Sequence, residues 1–464
     1  MKKPPFKKVL IANRGEIAVR VIRACHELGI RTAAVHSTAD AQALHVKLAD
    51  ESICIGPPSA TESYLNISAI ISAAVATGAE AIHPGYGFLS ENASFAEICG
   101  QCGITFIGPS VRNMLLMGDK ARARRAAKKN DVPIIPGTDE AGTNAEAALL
   151  EAEKIGFPVL IKATAGGGGR GMKIVKDAAH FVDSFNQAKH EVEAAFGDPN
   201  IYIEKYLETA RHVEVQVVAD RLHNIVHLGE RDCSTQRRHQ KLVEESPAFG
   251  LKQSTREKLH TAAVRLCQAM AYTSVGTLEF LVDPKTEEFY FIEMNTRLQV
   301  EHPVTEMVTQ IDIVKEQIWV AAGRELSFTQ EDVVFRGHAI EARINAEDSV
   351  NLRPSPGLIV GYHAPGGPGI RVDSALYDRY TVPPYYDSLI AKIIAHGQTR
   401  EEAIRKLVVA LDECIIGGIK TNLELHRRIL TNPDFVAGRV HTRLLESISL
   451  TDEIPPVREL SAAA

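Results

Sequence analysis

The chain has 464 residues and a formal net charge of −6, with 45% hydrophobic and 24% charged residues. That mix excludes wholesale disorder, and the acidic balance argues against a phosphate track for nucleic acid. A membrane span needs about 20 mainly apolar residues, whereas the uncharged run between Glu62 and Glu80 is broken by Ser, Asn, Thr and Gly. At about 150 residues per domain, three domains are expected, or two with one large. The lysine-bearing N-terminus has an apolar part of only Val9 to Ala12, too short for a signal core, so a cytoplasmic chain is expected. Seven cysteines are few for this length and odd in number, which predicts reduced thiols. Cys99 and Cys102 form a C-x-x-C, but on an expected helix and without a second half-site, so chance is the better reading.

Strand and helix alternate from the start. KVLIAN (Lys8–Asn13) is an apolar strand run, followed by Gly15 and a helical pattern through Ile17, Val21, Ile22 and Cys25. Further strand runs follow at Arg31–Ser37, Ser52–Gly56, Glu80–Gly85 and Ile104–Ser110. This spacing predicts βαβ units, a parallel sheet and an α/β class. The turn after the first strand is Asn13-Arg14-Gly15, with no G-x-G-x-x-G, so a Rossmann-like fold without the dinucleotide fingerprint is expected. A second region opens near Met117 with a basic helix, Lys120 to Lys129. Phe157–Ala163 and Met172–Val175 read as strands joined by a glycine loop, then a helix over Ala179–Ala195 and a strand over Ile201–Leu207. Val213–Asp220 and Asn224–Asp232 read as a hairpin. A third region, from about Arg336, mixes strands with a helix at Arg400–Cys414.

The loop holds Gly166, Gly167, Gly168, Gly169 and Gly171 with Arg170. Glycine lets backbone N–H groups approach an anion closely. The loop joins strand to strand, unlike a dinucleotide turn, and Met172 stands where a Walker A lysine belongs. Lys162 and Arg170 bracket it, which favours a flap over phosphates against a bland surface loop.

Gly276–Pro303 is the most informative stretch. LEFLVD and EFYFIE read as strands with a turn at Pro284–Glu287. Glu279 and Glu293 are equidistant from Thr286, so they face each other on one side. Opposed like charges destabilise a hairpin, and a divalent cation between them would offset this. Asn295, two residues on, adds an oxygen ligand. Oxygen ligands suit Mg²⁺ or Mn²⁺ carrying phosphates. The alternative is two solvated glutamates. Arg297, Gln299 and Glu301 alternate and, in extended chain, share a face able to hold a small anion beside a general base; the bland alternative is an exposed edge. Arg231–Lys241 clusters cations around His239 and Gln236. Glu244 and Glu245 follow at once, so an enclosed polyanion site is a better reading than nucleic acid.

Together these residues resemble the biotin carboxylases of the ATP-grasp superfamily. The resemblance covers nearly the whole chain. It rests on IANRGEIA (Ile11–Ala18), HPGYGFLSEN (His83–Asn92), MGDK (Met117–Lys120), GGGGRGM (Gly166–Met172), EKYLE (Glu204–Glu208) and RHVEVQV (Arg211–Val217). It continues through ERDCSTQRRHQK (Glu230–Lys241), FIEMNTRLQVEHPVTE (Phe291–Glu306), RINAED (Arg343–Asp348) and PPYYDS (Pro383–Ser388). The glycine run is one shorter than in some members, because Ala165 stands at its start, which leaves four consecutive glycines.

The resemblance implies a Rossmann-like domain over 1–117 and an ATP-grasp domain over 118–330 with a lid at about 135–205. A C-terminal α+β domain over 331–450 and a tail over 451–464 follow. It implies ATP contacts at Lys120, Lys162, Gly166, Gly167, Gly168, Gly169 and Met172, with Glu204 and Leu207 at the adenine and Lys205 in the hinge. His212, Gln236 and His239 would line the nucleotide pocket. Glu279 and Glu293, aided by Asn295, would hold two Mg²⁺ or Mn²⁺ ions. Lys241, Arg297, Gln299 and Val300 would hold bicarbonate, Glu301 would deprotonate it, Arg343 would stabilise the biotin enolate, and Tyr86 would lie near the ureido ring. Bicarbonate attack on the γ-phosphate would give carboxyphosphate, which yields CO₂ beside biotin.

No Met-Lys-Met hairpin occurs in the sequence, and no carboxyltransferase sequence is recognisable. The expectation is therefore a free-standing subunit. It would act on a separate biotin carboxyl carrier protein, work with carboxyltransferase subunits and pair as a homodimer. The expected process is the first half-reaction of acetyl-CoA carboxylase in fatty acid synthesis, with pyruvate or another acyl group as the alternative acceptor. One rival is an ATP-grasp ligase of another kind, carbamoyl-phosphate-forming or purine-pathway, which leaves RINAED and PPYYDS unexplained. Another is a non-catalytic nucleotide-binding regulator, against which the full set of Glu279, Glu293, Arg297, Glu301 and Arg343 argues.

Overall fold

The computed structural model describes residues 4–138, 142–163, 173–196, 201–237 and 240–450. The glycine loop with Met172, His239 and the tail from 451 lie outside the described residues.

The first five strands are β1 (Lys8–Ile11), β2 (Arg31–Ser37), β3 (Glu51–Gly56), β4 (Ala81–His83) and β5 (Thr105–Phe106). They form the expected parallel sheet, in the order β3-β2-β1-β4-β5. β1 is short and apolar because a parallel sheet is covered on both faces. The helix Gly15–Glu27 follows β1 directly and buries Ile17, Val21, Ile22 and Cys25, matching the sequence periodicity. The turn after β4 depends on Gly85, at φ +63°, where a Cβ would stand 2.8 Å from Asn13 Nδ2. With no Cβ there, Asn13 Nδ2 donates to the Pro84 and Tyr86 carbonyls at 2.6 and 2.7 Å and fixes the loop that carries Tyr86.

β6 (Val159–Ala163), β7 (Lys173–Val175) and β8 (Ile201–Lys205) make a three-stranded antiparallel sheet in the order β7-β6-β8. The helices Ala145–Ile155 and Phe181–Phe196 back it, with Phe181, Phe185, Val159 and Ile161 in the shared core.

The largest sheet uses β9 (Arg211–Ala219), β10 (Ile225–Arg237), β11 (Gln240–Ser246), β12 (Ser274–Val282), β13 (Phe289–Asn295) and β14 (His338–Asn345). Two short ladders pair β15 (Gly357–Leu358) with β18 (Thr381–Val382) and β16 (Tyr362–His363) with β20 (Ile415–Ile416). β17 (Ile370–Ser374) and β19 (Leu389–Gly397) complete the eight-stranded sheet, in the order β13-β12-β9-β10-β11-β14-β19-β17. It is therefore continuous from the β12–β13 hairpin into the C-terminal region.

Its two faces differ in chemistry. Val213, Val215 and Val217 of β9 and Leu278 and Phe280 of β12 pack on the helix Gln253–Ala269. The helices Arg400–Glu413 and Leu423–Thr431 cover β14 and β19. Each buried large apolar side chain contributes about 1.5–3 kcal/mol. The alternate β9 positions, His212, Glu214 and Gln216, are polar yet also buried; Arg231 and Lys241 lie on that face and bond Glu214 and Gln216.

The extended chain expected from Arg297 to Glu301 is not found. No strand continues past Asn295; the chain turns and enters the helix His302–Thr309, with Glu301 at its N-cap position. Pro303 in the first turn explains this, since its fixed φ suits a helix start and not a paired strand.

A candidate active site on the central sheet

A cavity of about 1740 Å³ opens over the polar face of the large sheet. Its lining brings together Tyr86, Lys120, Lys162, Glu204, Lys205, Leu207, His212, Gln236, Lys241, Glu279, Glu293, Asn295, Arg297, Gln299, Val300 and Arg343. Positions more than 200 residues apart in sequence thus share one chamber. Glu301 is not among the lining residues; it is fully buried behind Lys241 and Arg343. Among the described residues no helix is long and apolar enough to cross a membrane.

The hairpin supplies one wall. Glu279 and Glu293 are register partners on β12 and β13, and a bulge follows at once between Glu279 and Phe280. Positive groups offset the opposed charges. Glu279 Oε1 lies 3.0 Å from Lys241 Nζ, and Glu279 Oε2 lies 3.0 Å from His212 Nε2. Lys120 Nζ lies 3.3 Å from Glu293 Oε2. Asn295 Nδ2 donates to Glu279 Oε1 at 2.9 Å, and its amide oxygen accepts from Arg297 Nη2 at 2.8 Å. Burial pushes the Glu279 carboxyl up, but Lys241 and His212 more than offset this, leaving it well below the usual carboxylate range. Two opposed carboxylates and an amide oxygen on one hairpin fit a hard divalent ion.

Lys241 is the centre of charge. Its Nζ contacts Glu214 Oε2 at 2.6 Å, Glu279 Oε1 at 3.0 Å and Glu301 Oε1 at 2.6 Å. Burial disfavours its charge, but Cys233 and the three carboxylates outweigh that and keep it an ammonium. Arg343 Nε donates to Glu244 Oε1 at 2.5 Å and its Nη2 to Glu301 Oε2 at 3.0 Å. Glu301 thus bridges Lys241 and Arg343. Burial raises its carboxyl, but Lys241, Arg343 and Arg231 outweigh that and hold it well below the usual carboxylate range, so it stands ionised. In the turn, Arg297 Nη1 donates to Gln299 Oε1 at 3.0 Å, and Arg297 Nε to Glu91 Oε2 at 2.9 Å. Arg297, Gln299 and Glu301 converge through this turn rather than along a strand.

At the far end, Lys162 Nζ donates to Glu204 Oε2 at 2.5 Å, and Arg124 pairs with the same carboxylate. Lys205 Nζ donates to the Gly156 and Phe157 carbonyls at 2.8 and 3.0 Å, anchoring β8 to the chain before β6.

The basic cluster needs correcting in part. Arg231 is fully buried and bonds Glu214, Gln216, Thr277 and Thr305, so it is internal scaffolding rather than part of a polyanion surface. Gln236 and Lys241 do face the cavity. Sequence reading missed Glu214, Glu244 and Glu91. Glu214 had a signal: it stands two residues from His212 on the same strand face.

Three family descriptions match in succession. "Biotin carboxylase, N-terminal domain" matches residues 5–114, "Carbamoyl-phosphate synthase L chain, ATP binding domain" matches 119–329, and "Biotin carboxylase C-terminal domain" matches 341–447. The middle segment alone would leave several ATP-grasp ligases open; the flanks decide. A Nostoc protein named biotin carboxylase is 55% identical over 445 residues, covering 96% of this chain and 99% of that one. This chain belongs to the biotin carboxylase family. It is an ATP-dependent ligase acting on biotin. A biotin carboxylase from Campylobacter jejuni, solved as a β,γ-ATP complex, superposes with a TM-score of 0.88 at 51% identity, covering 95% of this chain and 98% of that one. The biotin carboxylase domain dimer of Hydrogenobacter thermophilus 2-oxoglutarate carboxylase, solved with MgADP, ADP and bicarbonate, gives 0.86 at 49%, with 95% and 97% covered.

Proposed function

We propose that this cavity carboxylates biotin carried on a separate biotin carboxyl carrier protein, using ATP and bicarbonate. The observation that carries the reading is one chamber lined by phosphate-directed lysines, opposed carboxylates, an anion-binding turn and a separate arginine. Lys120 and Lys162 bind the phosphates, with Gly166 to Gly169 and Met172 contributing from outside the described residues. Glu204, Lys205 and Leu207 meet the adenine, and His212 and Gln236 line the nucleotide pocket; His239, outside the described residues, is assigned to the same pocket. Glu279, Glu293 and Asn295 hold Mg²⁺ or Mn²⁺, two per site, which neutralise phosphate charge. Lys241, Arg297, Gln299 and Val300 hold bicarbonate. Glu301 takes its proton. Arg343, which cannot lose its proton, steadies negative charge on the ureido oxygen, with Tyr86 beside the ring.

The three-part division at 117, 330 and 450 is our proposed domain organisation, and the cytoplasm is the proposed setting. The homodimer and the carboxyltransferase partner are part of the same reading; the dimeric Hydrogenobacter domain supports the first. Acetyl-CoA is the proposed final acceptor. That same relative belongs to a 2-oxoglutarate carboxylase, which keeps another acyl acceptor as the second reading. The test is ADP release by the purified chain. It should depend strictly on bicarbonate and be stimulated by free biotin; release indifferent to bicarbonate sinks the proposal. Capture of the biotin-bearing partner, and identification of the transferase bound with it, separates the acceptors.

A further inference from the structure

Behind the cavity lies a buried ion pair to which the reading above gives no role. Lys392 of β19 is the register partner of Arg343 on β14, so two cations stand side by side, Lys392 fully buried and Arg343 half-buried at the cavity wall. Like charges so placed repel, and each is matched by its own acid. Arg343 takes Glu244 and Glu301. Lys392 takes Glu16, at 3.1 Å, and both side chains are essentially without solvent exposure. Lys392 Nζ also donates to the Val300 carbonyl at 2.7 Å. Glu16 Oε1 accepts, in addition, the hydroxyl of Tyr86. Glu16 Oε2 is buried without a hydrogen-bond partner.

This is a poor arrangement for stability alone. A buried ion pair costs more desolvation than it usually recovers, and apolar residues of similar volume often hold a fold as well or better. The orphaned oxygen adds to the cost. What the pair does achieve is connection. One end fixes Val300, between Gln299 and Glu301, and the other fixes Tyr86 in the loop after β4. Glu16 belongs to the N-terminal helix Gly15–Glu27 and Lys392 to the C-terminal part of the chain.

We propose that Lys392 is a positioning residue, acting with Glu16 to hold the bicarbonate turn and the Tyr86 hydroxyl in register for carboxyl transfer. The inference rests on the assignment of the cavity to biotin carboxylation. It predicts that bicarbonate and biotin lose, and that ATP does not, because neither anchored residue belongs to the phosphate wall.

The test uses the full-length enzyme with three variants. Lys392→Met should lose about 10²-fold in biotin carboxylation, the effect expected of a displacement near 1 Å. The bicarbonate KM should rise while nucleotide affinity stays near wild type. Glu16→Leu/Lys392→Met removes both buried charges, and should recover thermal stability without recovering the rate. Tyr86→Phe cuts only the far end, and should raise the biotin KM with the bicarbonate KM unchanged. A double variant with wild-type stability and wild-type rate would overturn the proposal, as would a biotin KM unmoved by Tyr86→Phe. Parallel loss of ATP affinity in Lys392→Met would make the pair scaffolding only. Wild-type enzyme assayed alongside keeps the questions apart: if it fails to carboxylate biotin, the cavity assignment has failed, and the inference with it.

Discussion

At the residue scale, the chemistry turns on which charge is free to act. Arg343 lies half-buried between Glu244 and Glu301, and burial raises the Glu244 carboxyl even though Arg343 pulls it down. Its guanidinium stabilises the biotin enolate only as charge develops, so its effect belongs to the transition state. Arg343→Ala should keep ATP affinity and lose roughly 10²–10³-fold in biotin carboxylation, the usual loss for one oxyanion donor. Arg343→Lys should fall nearly as far, since lysine keeps the charge but lacks the fork. Nucleotide titration beside a carboxybiotin assay decides it, and a variant that carboxylates biotin normally removes the role.

At the element scale, the β12–β13 hairpin is the unit that presents metal ligands. Its turn pairs Val282 with Phe289 and Phe280 with Phe291, and the bulge after Glu279 shifts the ladder by one residue and brings Glu279 opposite Glu293. Glu279→Gln or Glu293→Gln preserves shape and removes a charge. Each should lower turnover by about 10²-fold or more and raise the Mg²⁺ requirement, because a neutral amide is a weaker ligand for a hard cation. Circular dichroism should show an unchanged fold. Normal turnover at ordinary Mg²⁺ would contradict the ligand assignment.

At the scale of the whole molecule, the C-terminal helices are tied to the central sheet by buried charge. Arg400, at the start of the helix Arg400–Glu413, pairs with Glu245 of β11 at 2.6 Å, and both are buried. His338 of β14 shares that carboxylate at 2.8 Å. Burial raises the Glu245 carboxyl, but Arg400 and His338 outweigh it and hold the group at about 2, against an ordinary 4.5. A lowered carboxyl stabilises the fold fully above the unfolded value and loses that contribution as pH falls toward the folded one. Glu245→Gln leaves Arg400 buried and unpaired, so stability should fall by about 3–5 kcal/mol at neutral pH. The gap between variant and wild type should narrow as pH falls from about 5 toward 3. Urea unfolding across that range measures both, and a gap independent of pH would refute the linkage.

The parallel sheet at the N-terminus and the β9–β10 hairpin were legible in the sequence, because each rests on local periodicity or on a short turn; the facing of Glu279 and Glu293 is expected from their equal distance to Thr286, but it is the bulge after Glu279 that brings them opposite. So was membership of the family, since its strings recur at fixed spacing. The turn at Arg297–Glu301 was not legible: alternation suggested a strand, and the helix start at Pro303 overrode it. Nor could the sequence show that Arg231 is scaffolding, or that Glu214, Glu244, Glu16 and Lys392 matter. Their partners lie on strands and helices remote in the chain, from Glu16 beside Lys392 to Glu244 beside Arg343. Local patterns fix what a segment forms, because backbone sterics and side-chain alternation act over a few residues. Which charges meet is decided only when the strands pair, since the energy of a buried charge depends on its neighbours in space.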